Sequence, residues 1–194
     1  MVIRKSVDAD FAAMLAIVNE AANAYRGVIP ADRWHDPYMS ADELRREIAA
    51  GVVFWVAAEE GRVTGVMGIQ DKGDVALVRH AYVAASAQRT GLGTKLLRHV
   101  EGLVDKPILI GTWAAASWAI DFYRRNGFAV VADDDKDRLL RTYWSIPERQ
   151  VETSVVLANE TPSRVSSPTE PAARTGPPTT SPARRPSRAP RAAP

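Results

Sequence analysis

Apolar residues recur along this chain with two periods, and the switches between them predict alternating strands and helices. Val2 and Ile3 open with a short strand over residues 2–4. Phe11, Met14, Leu15 and Val18 then fall at helical spacing behind Ser6 or Asp8, either of which can cap the helix. Ser40 followed by Glu43 forms a capping box for a helix over 41–50, which Gly51 ends. Residues 53–58 and 63–70, separated by the turn 59–62, read as an antiparallel hairpin. A second turn at 71–74 leads into a strand over 75–83, a glycine-bearing loop and a helix over 91–104. Residues 108–113 are almost continuously apolar, which predicts a buried strand. A helix over 117–126 stops at Gly127, and late strands at 128–132 and 151–157 flank a short helix near 138–143. The pattern predicts an α/β chain with a mixed sheet and helices on both faces.

Composition divides the chain in two. Residues 161–194 are mostly Pro, Ala, Ser, Thr and Arg, with one valine as the only large apolar residue and no aromatic one. Such a segment cannot bury enough apolar surface to offset chain entropy, so a folded domain over 1–158 and a disordered tail over 159–194 are expected. The tail reads as a solvated appendage, with a basic interaction arm as the alternative. From Glu160 onward, six arginines and two glutamates give +4; against +2 for the whole chain, the body is left at about −2. The basic pI of about 9.0 therefore belongs to the tail, and no nucleic-acid-binding face is read in the body. Cysteine is absent, which excludes disulfides, thiolate metal sites and a cysteine nucleophile. No apolar run approaches the roughly 20 residues of a membrane span, and the N-terminus lacks a signal-peptide core. A cytoplasmic location without membrane attachment is expected. The carboxylates in 133–138 lack calcium-loop spacing and read as a solvated turn and helix start, so no metal site is assigned.

The chemistry concentrates in Gln88, Arg89, Thr90, Gly91, Leu92, Gly93 and Thr94, between a strand and a helix. A helix N-terminus presents unpaired N–H groups and about half a positive charge, and so attracts phosphate. Gly91 and Gly93 let the backbone approach an anion, while Arg89 and Thr94 add donors. A glycine pair between strand and helix is also compatible with a mere tight connection. The Gly-Lys-Ser/Thr ending of a P-loop and the third glycine of a dinucleotide fingerprint are both missing.

This motif resembles the Gln/Arg-x-x-Gly-x-Gly/Ala loop of the GCN5-related N-acetyltransferase (GNAT) family, matched by Gln88, Arg89, Gly91 and Gly93. Farther on, the family's Ala-x-x-Phe/Leu-Tyr-x-x-x-Gly-Phe signature is met by Ala119, Phe122, Tyr123, Gly127 and Phe128. Ala85 stands where the family often has proline, and Ala116 where it often has asparagine, although Ser117 beside it offers a hydroxyl. The resemblance covers the body and not the tail. It implies a GNAT acyl-CoA N-acyltransferase fold: a mostly antiparallel sheet with a splayed parallel pair and helices on both faces. It also implies acetyl-CoA (coenzyme A) as cosubstrate, with Tyr82 and Val83 meeting the pantetheine and thioester, and association into a homodimer through the last strands is compatible with it.

By the same resemblance Tyr123 is placed near the sulfur as general acid, since a phenol near pKa 10 can donate to a thiolate near 8.5. A packed tyrosine with a structural hydroxyl partner is the alternative. His80 is the candidate base, but strand side chains alternate, and it can equally face away as a structural histidine. Glu20, Asp36 or an ordered water are weaker candidates. Tyr25, Arg26, Trp34 and His35, in the loop 25–38, are candidates for acceptor binding, with Arg79, Tyr82 and Trp113 bordering the pocket. Simple packing under the loop is the alternative for Trp34. The leading expectation is an acetyltransferase acting on a small primary amine or an amino-acid-like substrate. A protein lysine or N-terminal acetyltransferase and a non-catalytic acyl-CoA sensor are the competing ones.

Overall fold

The period-two runs pair as their spacing requires. In the computed structural model, which describes residues 1–160, the strands are β1 (Val2–Lys5), β2 (Val53–Glu59), β3 (Arg62–Asp71), β4 (Ala76–Val83), β5 (Ile108–Trp113), β6 (Ala129–Val130) and β7 (Ser154–Ala158). They form one sheet in the order β1-β2-β3-β4-β5-β7-β6, antiparallel throughout except for the β4–β5 pair. The expected mixed sheet with a single parallel pair is thus present. The tail reading falls almost wholly on residues outside the described ones.

The helices are α1 (Phe11–Ala22), α2 (Ala41–Ala49), α3 (Leu92–Glu101), α4 (Ser117–Arg125), α5 (Asp133–Tyr143) and α6 (Glu148–Glu152). On one face of the sheet Leu92, Leu96, Leu97 and Val100 of α3 pack with Tyr123 of α4 over Ala76, Val78, Ile108 and Ile110. On the other, Met14, Ile17 and Val18 of α1 and Leu44 of α2 cover Phe54, Val56 and Val66. Buried apolar side chains on both faces supply the main driving force for this three-layer arrangement. No helix among the described residues is long and apolar enough to cross a membrane.

The expected capping box forms at α2, where Ser40 Oγ accepts from Glu43 N–H at 3.1 Å and Glu43 accepts from Ser40 N–H at 2.7 Å. Elsewhere the structure corrects the local expectations. Neither Ser6 nor Asp8 caps α1; instead the buried Asp10 accepts from Val7 N–H at 2.8 Å and pairs with Arg4 at 2.6 Å. A buried carboxylate needs that counter-ion, and Arg4 supplies it from the adjacent strand. The strand expected at 128–132 shrinks to two residues, and α5 begins within the acidic stretch, whose carboxylates suit a helix N-terminus. Val151 lies in α6, so the last strand starts three residues later than expected.

Candidate active site

The site begins where β4 and β5 part. Their pairing runs only through Ala76–Ile108, Leu77–Leu109 and Val78–Ile110. Immediately beyond, β4 carries a bulge in which His80 and Ala81 stand opposite Met67 of β3, with His80 at φ +51°. A bulge bends its strand and inserts one residue, so the alternation of faces reverses across it. Ala76 and Val78 face α3 before the bulge; Ala81 and Val83 do so after it. Simple alternation would put His80 beside Val78. The left-handed residue instead lies against Phe54 (centroids 5.9 Å apart) and Glu47 of α2, on the opposite face.

A cavity of about 420 Å³ fills the splay on the α3–α4 side. Its walls include Val83, Gln88, Arg89 and Gly93 at one end and Ala119, Phe122 and Tyr123 along α4. Gly91 sets up the cradle at that end: at φ +81° it turns the chain into α3 in a conformation that favours glycine. The first helical bond is Lys95 N–H to Gly91 O at 3.1 Å, which leaves the amides of 92–94 without backbone partners among the described residues. These amides, the helix dipole and the exposed Arg89 form an anion cradle fit for a pyrophosphate. Gly93 has a different reason from the expected one, since a Cβ there would stand 3.3 Å from the Phe122 ring. The glycine lets α3 and α4 close together.

Tyr123 is buried against Phe122 and Phe128, with ring centroids 5.0 and 6.0 Å away. Its hydroxyl has no hydrogen-bond partner among the described residues, and burial, assisted by the nearby Tyr25, pushes the phenol well above its ordinary pKa. It therefore stays protonated as a donor.

A second, polar cavity of about 150 Å³ adjoins the first, sharing Tyr25, Val78, His80, Tyr82, Gly111 and Thr112. Its outer wall comes from Trp113, Leu140, Trp144, Gln150 and Ser154. The Trp144 indole packs against Gly111, where a Cβ would come within 3.2 Å of it. Beneath, Arg79 pairs with Glu47 at 2.7 Å and donates to Gln70 Oε1 at 3.1 Å. Glu47 Oε2 is also 3.0 Å from His80 Nε2, without the alignment of a hydrogen bond. Burial pushes the Glu47 carboxyl up, but His80 and Arg79 beside it outweigh this and hold it below its usual value.

The residues singled out in the sequence divide accordingly. Gln88, Arg89, Gly93, Tyr82, Val83 and Tyr123 meet at the larger cavity, and Trp113 lines the smaller one. Tyr25 borders both. Leu92 packs its side chain into the core, Thr90 Oγ1 donates to Ala87 O at 2.7 Å, and Thr94 and the exposed Ser117 are not among the cavity walls. Arg26 pairs with Asp36 at 2.8 Å and lies over Trp34, 4.9 Å from its ring; neither Arg26 nor Trp34 lines either of these two cavities. Trp34 packs on Tyr38, a neighbour of Tyr25, which serves to shape the loop. Sequence reasoning did not single out Glu47, Trp118, Trp144 or Gln150. Of these, only Trp118 sat inside a recognised motif region; nothing local marks the others.

A sheet whose one parallel pair parts over a glycine-turned helix N-terminus, with two cavities meeting in the gap, is the acyl-CoA N-acyltransferase architecture. The model of the acetyltransferase (GNAT) domain matches residues 17–141, and the chain belongs to that family of acetyltransferases. Among solved structures, it is similar to the PaiA N-acetyltransferase of Thermoplasma acidophilum in complex with coenzyme A. That likeness has 17% identity and a TM-score of 0.63, over 82% of this chain and 98% of the other. It is also similar to yncA of Salmonella typhimurium with its cofactor acetyl-CoA, at 26% identity and a TM-score of 0.54, over 68% and 81% of the two chains. A third is the ribosomal-protein-alanine N-acetyltransferase of Brucella melitensis, at 22% identity and a TM-score of 0.52, over 68% and 86%. At 17% and 22% identity, the first and third show the fold alone. Among curated proteins none matches this chain.

Proposed function

We propose that this acetyltransferase moves an acetyl group from acetyl-CoA to the primary amine of a small molecule, by direct attack in a ternary complex. The observation that carries this reading is the meeting of two cavities in the β4–β5 gap, one with an anion cradle and one small and polar. Coenzyme A and acetyl-CoA in the similar structures support the choice of donor.

The amides of 92–94 and Arg89 hold the pyrophosphate, and the end of β4 at Tyr82 and Val83 guides the pantetheine arm into the splay. The amine nitrogen attacks the thioester carbon. An N–C bond forms, the C–S bond breaks, and the sulfur leaves as a thiolate. Tyr123 donates a hydrogen bond to that sulfur. Its raised pKa makes full proton transfer to a thiolate uphill, so stabilising the leaving group is the larger part of its role. His80 takes the proton lost by the amine, directly or through water. Its Nε2 stands beside Glu47, which leaves Nδ1 for the exchange. The small size of the polar cavity favours a free amine over a protein chain.

Thiol release measured with acetyl-CoA over a panel of small amines and peptides tests the reading. Turnover of small amines is expected, and turnover confined to peptides would overturn it. In the same assay Tyr123→Phe is expected to lower kcat about 100-fold with acetyl-CoA affinity retained; an unchanged kcat removes Tyr123 from the chemistry.

A further inference from the structure

Given the N-acetyl transfer reading above, we propose that the acceptor is a compact amine with an apolar body and no carboxylate or phosphate group. The charges of the polar cavity lead there. Arg79 is the one permanently cationic side chain on its wall among the described residues, and it is already committed. Its guanidinium reaches both oxygens of Glu47, at 2.9 and 2.7 Å, and Gln70 Oε1 at 3.1 Å. An anionic substituent entering this space finds no unpaired cation and lies near the Glu47 carboxylate, so its desolvation goes uncompensated.

The remaining wall suits the opposite charge. Tyr25, Tyr38, Tyr82, Trp113 and Trp144 are among the residues lining the space; aromatic rings attract an ammonium through their quadrupoles and give an apolar body a surface to pack on. Tyr25 and Tyr82 keep their protons: burial pushes Tyr25 up to about 12 and holds Tyr82 well above its ordinary value. They add neutral hydrogen-bonding groups rather than charge. A volume of about 150 Å³ matches a body of roughly benzene size. His80, on the boundary with the larger cavity, stands where an ammonium must lose its proton before attack.

The test uses a pair of acceptors that differ by one carboxylate, phenethylamine and L-phenylalanine, with pentylamine and L-norleucine as an aliphatic pair. With the full-length enzyme and acetyl-CoA, released thiol and product mass are read for each. The carboxylate-free member of each pair is expected to have a kcat/KM at least about tenfold higher. Equal or better turnover of the amino acids overturns the acceptor class and leaves N-acetyl transfer standing. No acetylation of any small amine overturns both together. Glu47→Gln removes the charge that holds Arg79. If the variant's melting temperature shows it folded, the amine-to-amino-acid ratio is expected to narrow about fivefold, chiefly through the KM of the amino acids. A ratio unchanged in the folded variant overturns the role given to Arg79, and the wild-type pairs decide the acceptor class whatever the variant does.

Discussion

The larger cavity takes its cradle from one continuous stretch, 83–94, and the rest of its wall from α1 and the loop after it, β3, β4, β5 and α4. The polar cavity beside it draws on residues from the loop after α1, from β4, β5 and α5, from the segment after α5, and from α6 and the start of β7. Binding phosphate needs backbone amides and a turn, which neighbouring residues can supply. Recognising a particular amine needs walls on every side, which only distant segments brought together can supply. The cradle of the proposed donor half is thus a local structure, and the proposed acceptor half an assembled one. Substitutions should damage the two halves separately.

The largest expected effect lies in the donor half. Gly91→Glu forces a side chain into a φ of +81° and sets a carboxylate at the phosphate cradle, although a Cβ there meets nothing within 4 Å. Calorimetry is expected to show acetyl-CoA affinity reduced at least about 100-fold in a folded protein, by strain and by repulsion together. Undiminished binding would dissolve the cradle, and with it the contrast. Gly111→Ala probes the other half, because its new methyl presses on the Trp144 indole at 3.2 Å. The expected results are an acceptor KM raised about fivefold, stability lowered by about 1 kcal/mol and acetyl-CoA affinity unchanged. Weakened acetyl-CoA binding would show that the halves are coupled.

The smallest effect is a pH dependence beneath the polar cavity. Glu47 is held below its ordinary pKa, so the stability it contributes is fully present above its unfolded value of roughly 4.3 and fades as pH falls through the lower folded value. The melting temperatures of wild type and Glu47→Gln should differ most near neutrality and converge as pH falls through that window. A constant difference at all pH values would detach the carboxylate from Arg79 and His80.

How much was legible in the chain follows the same division. The hairpin, the capping box of α2, the buried strand β5 and the glycine turn into α3 were readable because each depends on residues close in sequence. The direction of His80 was not readable. Alternation left both faces open, and the bulge that decided it exists only because β3 and β4 pair in a shifted register. Arg26 and Trp34 invited a binding role by composition, yet their nearest partners are each other, Asp36 and Tyr38. Conversely, Glu47 looks like any polar residue of an amphipathic helix until α2 lies over β4.

The sequence by itself determined the alternation of strands and helices through α4, the glycine turn into α3 and the family, because periodicity, turn chemistry and short motifs act over a few residues. Only the tertiary structure decided where β4 and β5 part, which face His80 takes, and that the cation on the polar cavity's wall, Arg79, is already paired. Those outcomes depend on register and on contacts such as Arg79 with Glu47, 32 residues apart in the chain, which no local pattern records.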